Sequence, residues 1–187
     1  MSEQHRSGLE RRGDVPGPVR VGVSSCLLGN AVRWDGGHKR DGFLLEALAP
    51  YVEWVPVCPE VEAGMGTPRE PVKLARVAGE LRVLGNESGE DWTRALRAFA
   101  ARRVRSLEGA ELCGYVLKAR SPSCGLAGVE VWEANGPARR DGRGVFAAAL
   151  LERFPLLPVE DESRLADASL REDWLERVFA YRRLRAR

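Results

Sequence analysis

The chain has 187 residues, of which 44% are hydrophobic and 30% charged, which is the balance of an ordinary globular protein and excludes a disordered or fibrous one. Its net charge of +2 is too small to make the whole surface bind nucleic acid. No stretch approaches the roughly 20 apolar residues of a transmembrane helix, and the N-terminus has no apolar signal-peptide core. We therefore expect a cytoplasmic protein of about one domain, without a membrane partner.

The first half of the chain predicts a tail followed by alternating strands and helices. Residues 1–19 are polar, contain Gly and Pro and show no period, so they predict a flexible tail. Short apolar runs predict three strands, at 19–25, 51–57 and 80–85. A short helix is expected over 41–50, and the Gly- and Pro-rich stretch 59–71 predicts a loop.

The second half continues the alternation. Further strands are predicted at 114–119, 128–134 and 156–160. Apolar residues at helical spacing predict an amphipathic helix over 91–107, a helix over 141–154 that opens at a glycine pair, and a final helix from Arg164.

Strands that alternate with helices indicate a mostly parallel sheet covered on both faces. We therefore predict a three-layer α/β fold with a Rossmann-like sheet and an added C-terminal helix. The expected organisation is the tail, an α/β domain over 20–160, and a basic helix over 161–187. The arginines of that helix predict either an RNA-facing surface or a solvated face over apolar residues docked on the sheet.

Three of the four cysteines follow predicted strands directly. Cys26, Cys58 and Cys124 each lie in the loop after a strand, and in an open parallel sheet those loops meet at the carboxyl edge, where ligands bind. Cys113 precedes its strand, so we expect it at the opposite edge as a small buried residue. The pattern predicts a set of three thiols in one crevice.

Three thiols leave several kinds of site open. Structural zinc takes four ligands, commonly from paired CxxC motifs, and the sequence has no such pair, although His38 could be a fourth ligand. An iron–sulfur cubane held by three cysteines would leave one iron open as a Lewis acid. Three cysteines with no joint role would also fit the spacing.

Three sequence blocks surround these cysteines, SSCLLGNAVRWDGGHK, VCPEVEAGMGTPREP and KARSPSCG. In this order they resemble the thiouracil and thiouridine desulfidase family, whose members carry a [4Fe–4S] cluster on three cysteines. The resemblance covers about residues 20–160 and matches the single-domain form, without the second domain of the longer relatives. It implies that Cys26, Cys58 and Cys124 hold the cluster, with one iron open.

The family's mechanism implies that the thiocarbonyl sulfur of a pyrimidine binds the open iron, that water attacks the ring carbon, and that hydrosulfide leaves without consuming a reductant. Such hydrolysis needs a group that activates water. Glu60 is the first candidate, with a loop-bracing carboxylate as the alternative. Ser121, Ser123 and Lys118 are further catalytic candidates, and each could instead shape a turn or lie in solvent.

Four residues are candidates for substrate binding. Asp35, His38 and Lys39 belong to a loop with two glycines that could close over the site, although His38 could be an ordinary hydrogen-bonded loop residue. Arg69 could hold a phosphate or ribose, or could tie its loop in a salt bridge. The sequence GRG at 142–144 is a weak phosphate-binding signal, since Asp141 capping a helix would explain the segment equally well.

The sequence thus predicts a [4Fe–4S]-dependent desulfidase that hydrolyses a thiolated pyrimidine. The preferred substrate is 4-thiouridine in tRNA, and the nearest alternative is free thiouracil or thiouridine. A protein of another class, a non-catalytic RNA-binding or metal- and redox-sensing protein, would also use these cysteines. A nucleotide-binding domain is disfavoured because no glycine-rich phosphate loop follows the first strand.

Overall fold

The computed structural model describes residues 17–133 and 136–185. Their strands form two four-stranded sheets. The strands are, in chain order, β1 (Val19–Ser24), β2 (Val52–Val57), β3 (Val72–Val77), β4 (Glu80–Gly85), β5 (Gly114–Leu117), β6 (Val129–Trp132), β7 (Arg139–Gly142) and β8 (Val159–Asp161). The helices are α1 (Pro59–Glu62), α2 (Thr93–Ser106), α3 (Val145–Arg153) and α4 (Ala168–Arg185). Two 3₁₀ turns and one π-helical segment complete the elements, at Ser25–Leu28, Leu107–Ala110 and Phe43–Leu48.

The first sheet is entirely parallel, with strand order β2-β1-β5-β8. One face packs against α2 and α3, and the other against α4 and the π-helical segment. This arrangement confirms the predicted α/β class and its three layers.

Alternation along β1 shows how the sequence builds both faces of this sheet. Val21 and Val23 are fully buried on the face that meets Trp174 and Val178 of α4. Gly22 points to the other face, where the ring of Tyr115 takes the space that a side chain would fill. Because side chains alternate along a strand, the apolar run at 19–25 serves two cores at once.

The second sheet corrects the prediction of a single sheet. Its order is β4-β3-β6-β7, with β3 and β6 parallel and both outer pairs antiparallel. The predicted strands at 80–85 and 128–134 belong here, and β3 and β7 were not predicted. The hairpin of β3 and β4 turns through Ala78 and Gly79, both with positive φ, which suits the twist of a two-residue hairpin.

Two local predictions were wrong. The helix predicted over 141–154 begins only at Val145, because Asp141 and Gly142 belong to β7 and Gly144 occupies the position before the helix. Asp141 therefore caps no helix and instead pairs with Arg139. The loop predicted over 59–71 contains the helical turn α1, which Pro59 can begin because the first helical position needs no backbone N–H.

The C-terminal helix docks on the parallel sheet. Trp174 and Val178 are buried as predicted, and the Trp174 indole donates to the carbonyl of Pro158 at 3.1 Å. Several of its arginines contact the protein: Arg171 lies over the Phe43 ring and Arg185 donates to the carbonyl of Leu112. Within the described residues, no helix combines the length and the apolar character needed to cross a membrane.

Residues 1–16 of the predicted tail, which spans 1–19, lie outside the described residues. Its last residue, Val19, is the first residue of β1. The strand therefore begins inside the segment that the sequence assigns to the tail.

The contact between Gly22 and Tyr115 gives a stability prediction. A Cβ at Gly22 would lie 2.2 Å from two ring carbons of Tyr115, so Gly22→Ala should lower the free energy of unfolding by about 1–3 kcal/mol through overpacking. The midpoint of thermal unfolding should fall by several degrees. Gly109→Ala is the control, since no atom lies within 4 Å of its added Cβ. Equal midpoints for the two variants would contradict this account.

Candidate active site

The three cysteines predicted to act together line one cavity of about 340 Å³. Cys26 lies in the 3₁₀ turn directly after β1, Cys58 immediately follows β2 and precedes α1, and Cys124 lies in the loop that follows β5. These strands are parallel neighbours, so their carboxyl ends bring the three loops together. The predicted gathering of three thiols at one sheet edge is what the structure shows.

All three thiols are in surroundings that disfavour the thiolate. Burial raises the pKa of Cys26 to about 11, raises the pKa of Cys58, and raises the pKa of Cys124 well above its usual range. Cys58 also raises the pKa of Cys26, and both raise the pKa of Cys124, since a second negative charge nearby is unfavourable. Burial outweighs the nearby positive charges, so these residues are neutral thiols; a bound metal centre would favour their ionised form.

Cys113 lies at the other end of β5 and is buried in the core between the parallel sheet and α4. Its backbone N–H donates to the carbonyl of Arg20 at 2.7 Å, beside the start of β1. The structure therefore separates Cys113 from the other three, as predicted. The described cysteines are all free thiols.

Glu60 connects two of the cysteine loops. Its Oε2 accepts from Arg69 Nε at 3.0 Å and from Arg69 Nη2 at 2.6 Å. Its Oε1 accepts from the hydroxyl of Ser123 at 2.9 Å. A carboxylate offers about four acceptor positions, so a position remains for a further donor from the cavity that Glu60 lines.

The Arg69 guanidinium donates hydrogen bonds to several protein groups. Besides Glu60, its guanidinium donates to the carbonyls of Val32 at 3.1 Å and Gly66 at 2.7 Å. Its side chain is 7% exposed, although it lines the cavity. These contacts tie the loop after β1 to the segment that follows α1.

A second network lies around Ser24, at the end of β1. Its hydroxyl oxygen accepts from the backbone N–H of Lys118 at 2.9 Å, and its side chain acts to lower the pKa of Cys124 against the larger effect of burial. The Lys118 ammonium binds the Glu162 carboxylate and donates to the carbonyl of Ala119 at 3.1 Å. Glu162 also accepts from the N–H of Ala119 at 2.6 Å. Lys118 is therefore fixed by the segment after β8.

Ser121 shapes the loop that carries Cys124. Its hydroxyl oxygen accepts from the backbone N–H of Ser123 at 3.2 Å and of Cys124 at 3.1 Å. The hydroxyl proton of Ser121 is left to donate, and the side chain lines the cavity. The same loop packs against Gly144, where a Cβ would lie 2.5 Å from the carbonyl of Ser123. The glycine before α3 thus allows close approach of two backbones.

The glycine loop after Cys26 lies at the cavity, but its members differ in position. Lys39 lines the cavity, and its backbone N–H donates to the carbonyl of Cys26 at 2.9 Å. Asp35 accepts from the N–H of Gly37 at 3.0 Å, which lowers the pKa of its carboxyl, and His38 accepts from the N–H of Arg40. Asp35 and His38 lie outside the cavity wall, so their contact with a substrate stays a prediction.

Sequence reasoning missed several residues of this site, including Arg33 and Trp34 of the cavity wall. Ser24 and Glu162 belong to the network around Lys118, and Arg120 lines the cavity with an exposed side chain. Ser24 could have been found, since it ends the strand that leads to Cys26. The pairing of Glu162 with Lys118 spans 44 residues, and nothing local in the sequence signals it.

A family model described as 2-thiouracil desulfurase matches residues 21–162, a segment that begins in β1 and ends just after β8. The chain belongs to this family. The resemblance read from the three cysteine blocks is thereby confirmed.

Two relatives support the assignment. The chain is 33% identical over 133 residues to YbbK of Bacillus subtilis (strain 168), an uncharacterized protein, a match that spans 68% of this chain and 87% of YbbK. It is also similar to the solved structure of TudS, a [4Fe–4S]-dependent thiouracil desulfidase, with 32% identity and a TM-score of 0.63. That match covers 82% of this chain and 97% of TudS.

The pairing of Glu60 with Arg69 gives a second stability prediction. Glu60→Ala should leave the buried guanidinium without its carboxylate and lower the free energy of unfolding by about 3 kcal/mol, measured from the urea midpoint. Glu60→Gln keeps the shape and part of the hydrogen bonding, so it should lose less. Asp173→Ala, which breaks the exposed pair with Arg177, is the control and should leave the midpoint almost unchanged. A loss no larger than the control's would show that Glu60 does not brace the site.

Proposed function

We propose that this protein is a [4Fe–4S]-dependent desulfidase that converts the C=S group of a thiolated pyrimidine to C=O, consuming water and releasing hydrosulfide. The observation that carries the proposal is that one cavity is lined by three cysteines, two buried and one partly buried, and by a fixed carboxylate, Glu60. The family match and the similarity to TudS support the same chemistry. We propose further that the substrate is 4-thiouridine in tRNA.

The donor set fits a cluster better than a single ion. Among the described residues, no three His, Cys, Asp or Glu side chains are close enough together to hold one metal ion. A cubane binds each thiolate through a different iron, so its ligands stand farther apart than the four ligands that zinc gathers at about 2.3 Å. We assign Cys26, Cys58 and Cys124 as the ligands, which leaves one iron without a protein ligand.

When bound, a cluster with an open iron supplies a Lewis acid for the thiocarbonyl sulfur. Glu60 acts as the general base, because it lines the cavity, keeps an acceptor position and is held in place by Arg69. It takes a proton from the attacking water and can return it to the ring. Ser123 is a positioning residue here, since its hydroxyl is committed to Glu60.

Ser121 and Lys118 act on the pyrimidine. The Ser121 hydroxyl proton is available to a ring oxygen or nitrogen, since its oxygen already serves the turn. Lys118 uses ammonium protons for Glu162 and for the carbonyl of Ala119, and a third can point into the cavity. A cation held there stabilises negative charge that develops on the ring during attack.

The substrate proposal depends on which cations are unpaired. Arg69 and Lys118 are bound by carboxylates, whereas Lys39 and Arg120 line the cavity without a carboxylate partner among residues 17–133 and 136–185. Unpaired cations at the cavity favour a substrate that carries phosphate, and we propose 4-thiouridine within tRNA over free thiouracil. Arg69, Asp35 and His38 stay candidates for further substrate contacts. A reducing, cytoplasmic compartment suits the free cysteines.

The cysteine assignment predicts how four variants behave. After anaerobic reconstitution, Cys26→Ser, Cys58→Ser and Cys124→Ser should each lose the brown cluster absorption, most of the bound iron and the desulfidase activity. Cys113→Ser should keep all three, because it lies at the opposite end of β5. Full iron content in any of the first three variants would remove that residue from the ligand set. A colourless wild-type protein that binds zinc would favour the metal-sensing alternative.

The substrate proposal is tested with reconstituted protein, native bulk tRNA and free 2- and 4-thiouracil. We expect loss of 4-thiouridine from tRNA with an equal amount of hydrosulfide, measured by nucleoside mass spectrometry and a sulfide assay. Cluster-loaded Glu60→Gln should be at least about 100-fold slower with unchanged iron content, since it lacks a general base. Activity on the free bases alone would reject the tRNA substrate, and no activity on either would reject the desulfidase proposal.

A further inference from the structure

A second cavity of about 520 Å³ adjoins the cysteine cavity on the open face of the mixed sheet. Val72, Arg120 and Pro122 line both cavities, so the two are neighbours. We call the second one the flanking groove. Its remaining wall comes mainly from β3 and β6, and it includes Lys73 and Trp132.

The sheet register places an aromatic side chain in this groove. Along β6, Val129 and Val131 are buried, while Glu130 and Trp132 point to the opposite face. The Trp132 side chain is left 46% exposed, although tryptophan is usually well buried. An exposed indole beside a cavity offers a flat face on which a base can stack.

The charges around Trp132 favour an anionic ligand. The Lys73 ammonium lies 5.7 Å from the centre of the Trp132 ring, and neither Lys73 nor Arg120 pairs with a carboxylate in the described part of the chain. The carboxylate in the groove, Glu130, is neutralised by Arg140 at 3.1 and 3.2 Å. An exposed indole with unpaired cations on a sheet face provides stacking for a base and contacts for its phosphate.

We propose that the flanking groove binds the nucleotide next to the thiolated residue of an RNA substrate, with its base stacked on Trp132 and its phosphate at Lys73 and Arg120. The inference rests on the proposed function, because the three lining residues that the two cavities share place this nucleotide beside the reacting base. It makes Trp132 a specificity-determining residue that favours RNA over a free base.

Binding is measured first, with cluster-loaded full-length protein and a fluorescein-labelled hexauridylate that contains no sulfur. Trp132→Ala should raise Kd about tenfold, and Trp132→Phe should restore most of the affinity, because a phenyl ring can still stack. Lys73→Ala should lower the slope of log Kd against log salt by about 0.7, the effect of one lost phosphate contact. Leu184→Ala, an exposed apolar residue of α4 outside both cavities, is the matched control and should change neither quantity.

Turnover is measured second, on an oligonucleotide that contains 4-thiouridine and on free 4-thiouracil. Trp132→Ala should lower the ratio of kcat/KM for the oligonucleotide to kcat/KM for the base about tenfold, while Leu184→Ala leaves the ratio unchanged. Weaker hexauridylate binding by Trp132→Ala in a protein that desulfurates nothing would support the groove and reject the proposed function. Equal Kd values for wild type and Trp132→Ala would overturn the inference and favour a protein partner for this face.

Discussion

The ion pair of Glu60 with Arg69 is the interaction on which the geometry of the site depends. Glu60 lies two residues after Cys58 and receives the hydroxyl of Ser123, the neighbour of Cys124. Arg69 extends the connection to the carbonyl of Val32, in the loop after Cys26. One buried pair therefore links all three cysteine loops, and its removal would leave a buried charge without a partner.

This arrangement gives the ionisable residues of the cavity different tasks. Arg69 and Lys118 are held by carboxylates and fix the positions of Glu60 and of the segment after β5. Lys39 and Arg120 line the same cavity without such partners in the described residues, so they are the cations free to meet a substrate. The sequence shows that all four residues carry a positive charge. Only the tertiary structure shows which of them are paired with carboxylates.

The two sheets divide the work of the fold. The parallel sheet supplies the carboxyl edge at which the three cysteines meet, and the α-helices on its faces bury the apolar runs that build it. The mixed sheet forms the wall beside the cavity and presents Trp132 and Lys73 on its open face. The three cysteines and the exposed Trp132 thus belong to adjoining cavities built on different sheets.

The sequence by itself determined the α/β class, the three cysteines at one edge, the separate position of Cys113, and the family. These follow from local signals: apolar runs, the turn residues after them, and short motifs around each cysteine. The tertiary structure alone decided that 80–85 and 128–134 form a second sheet, that Glu162 holds Lys118, and that Gly144 allows a close contact with the backbone of Ser123. The pairing of Lys118 with Glu162 spans 44 residues, and a contact over such a separation leaves no periodicity in the sequence that could reveal it.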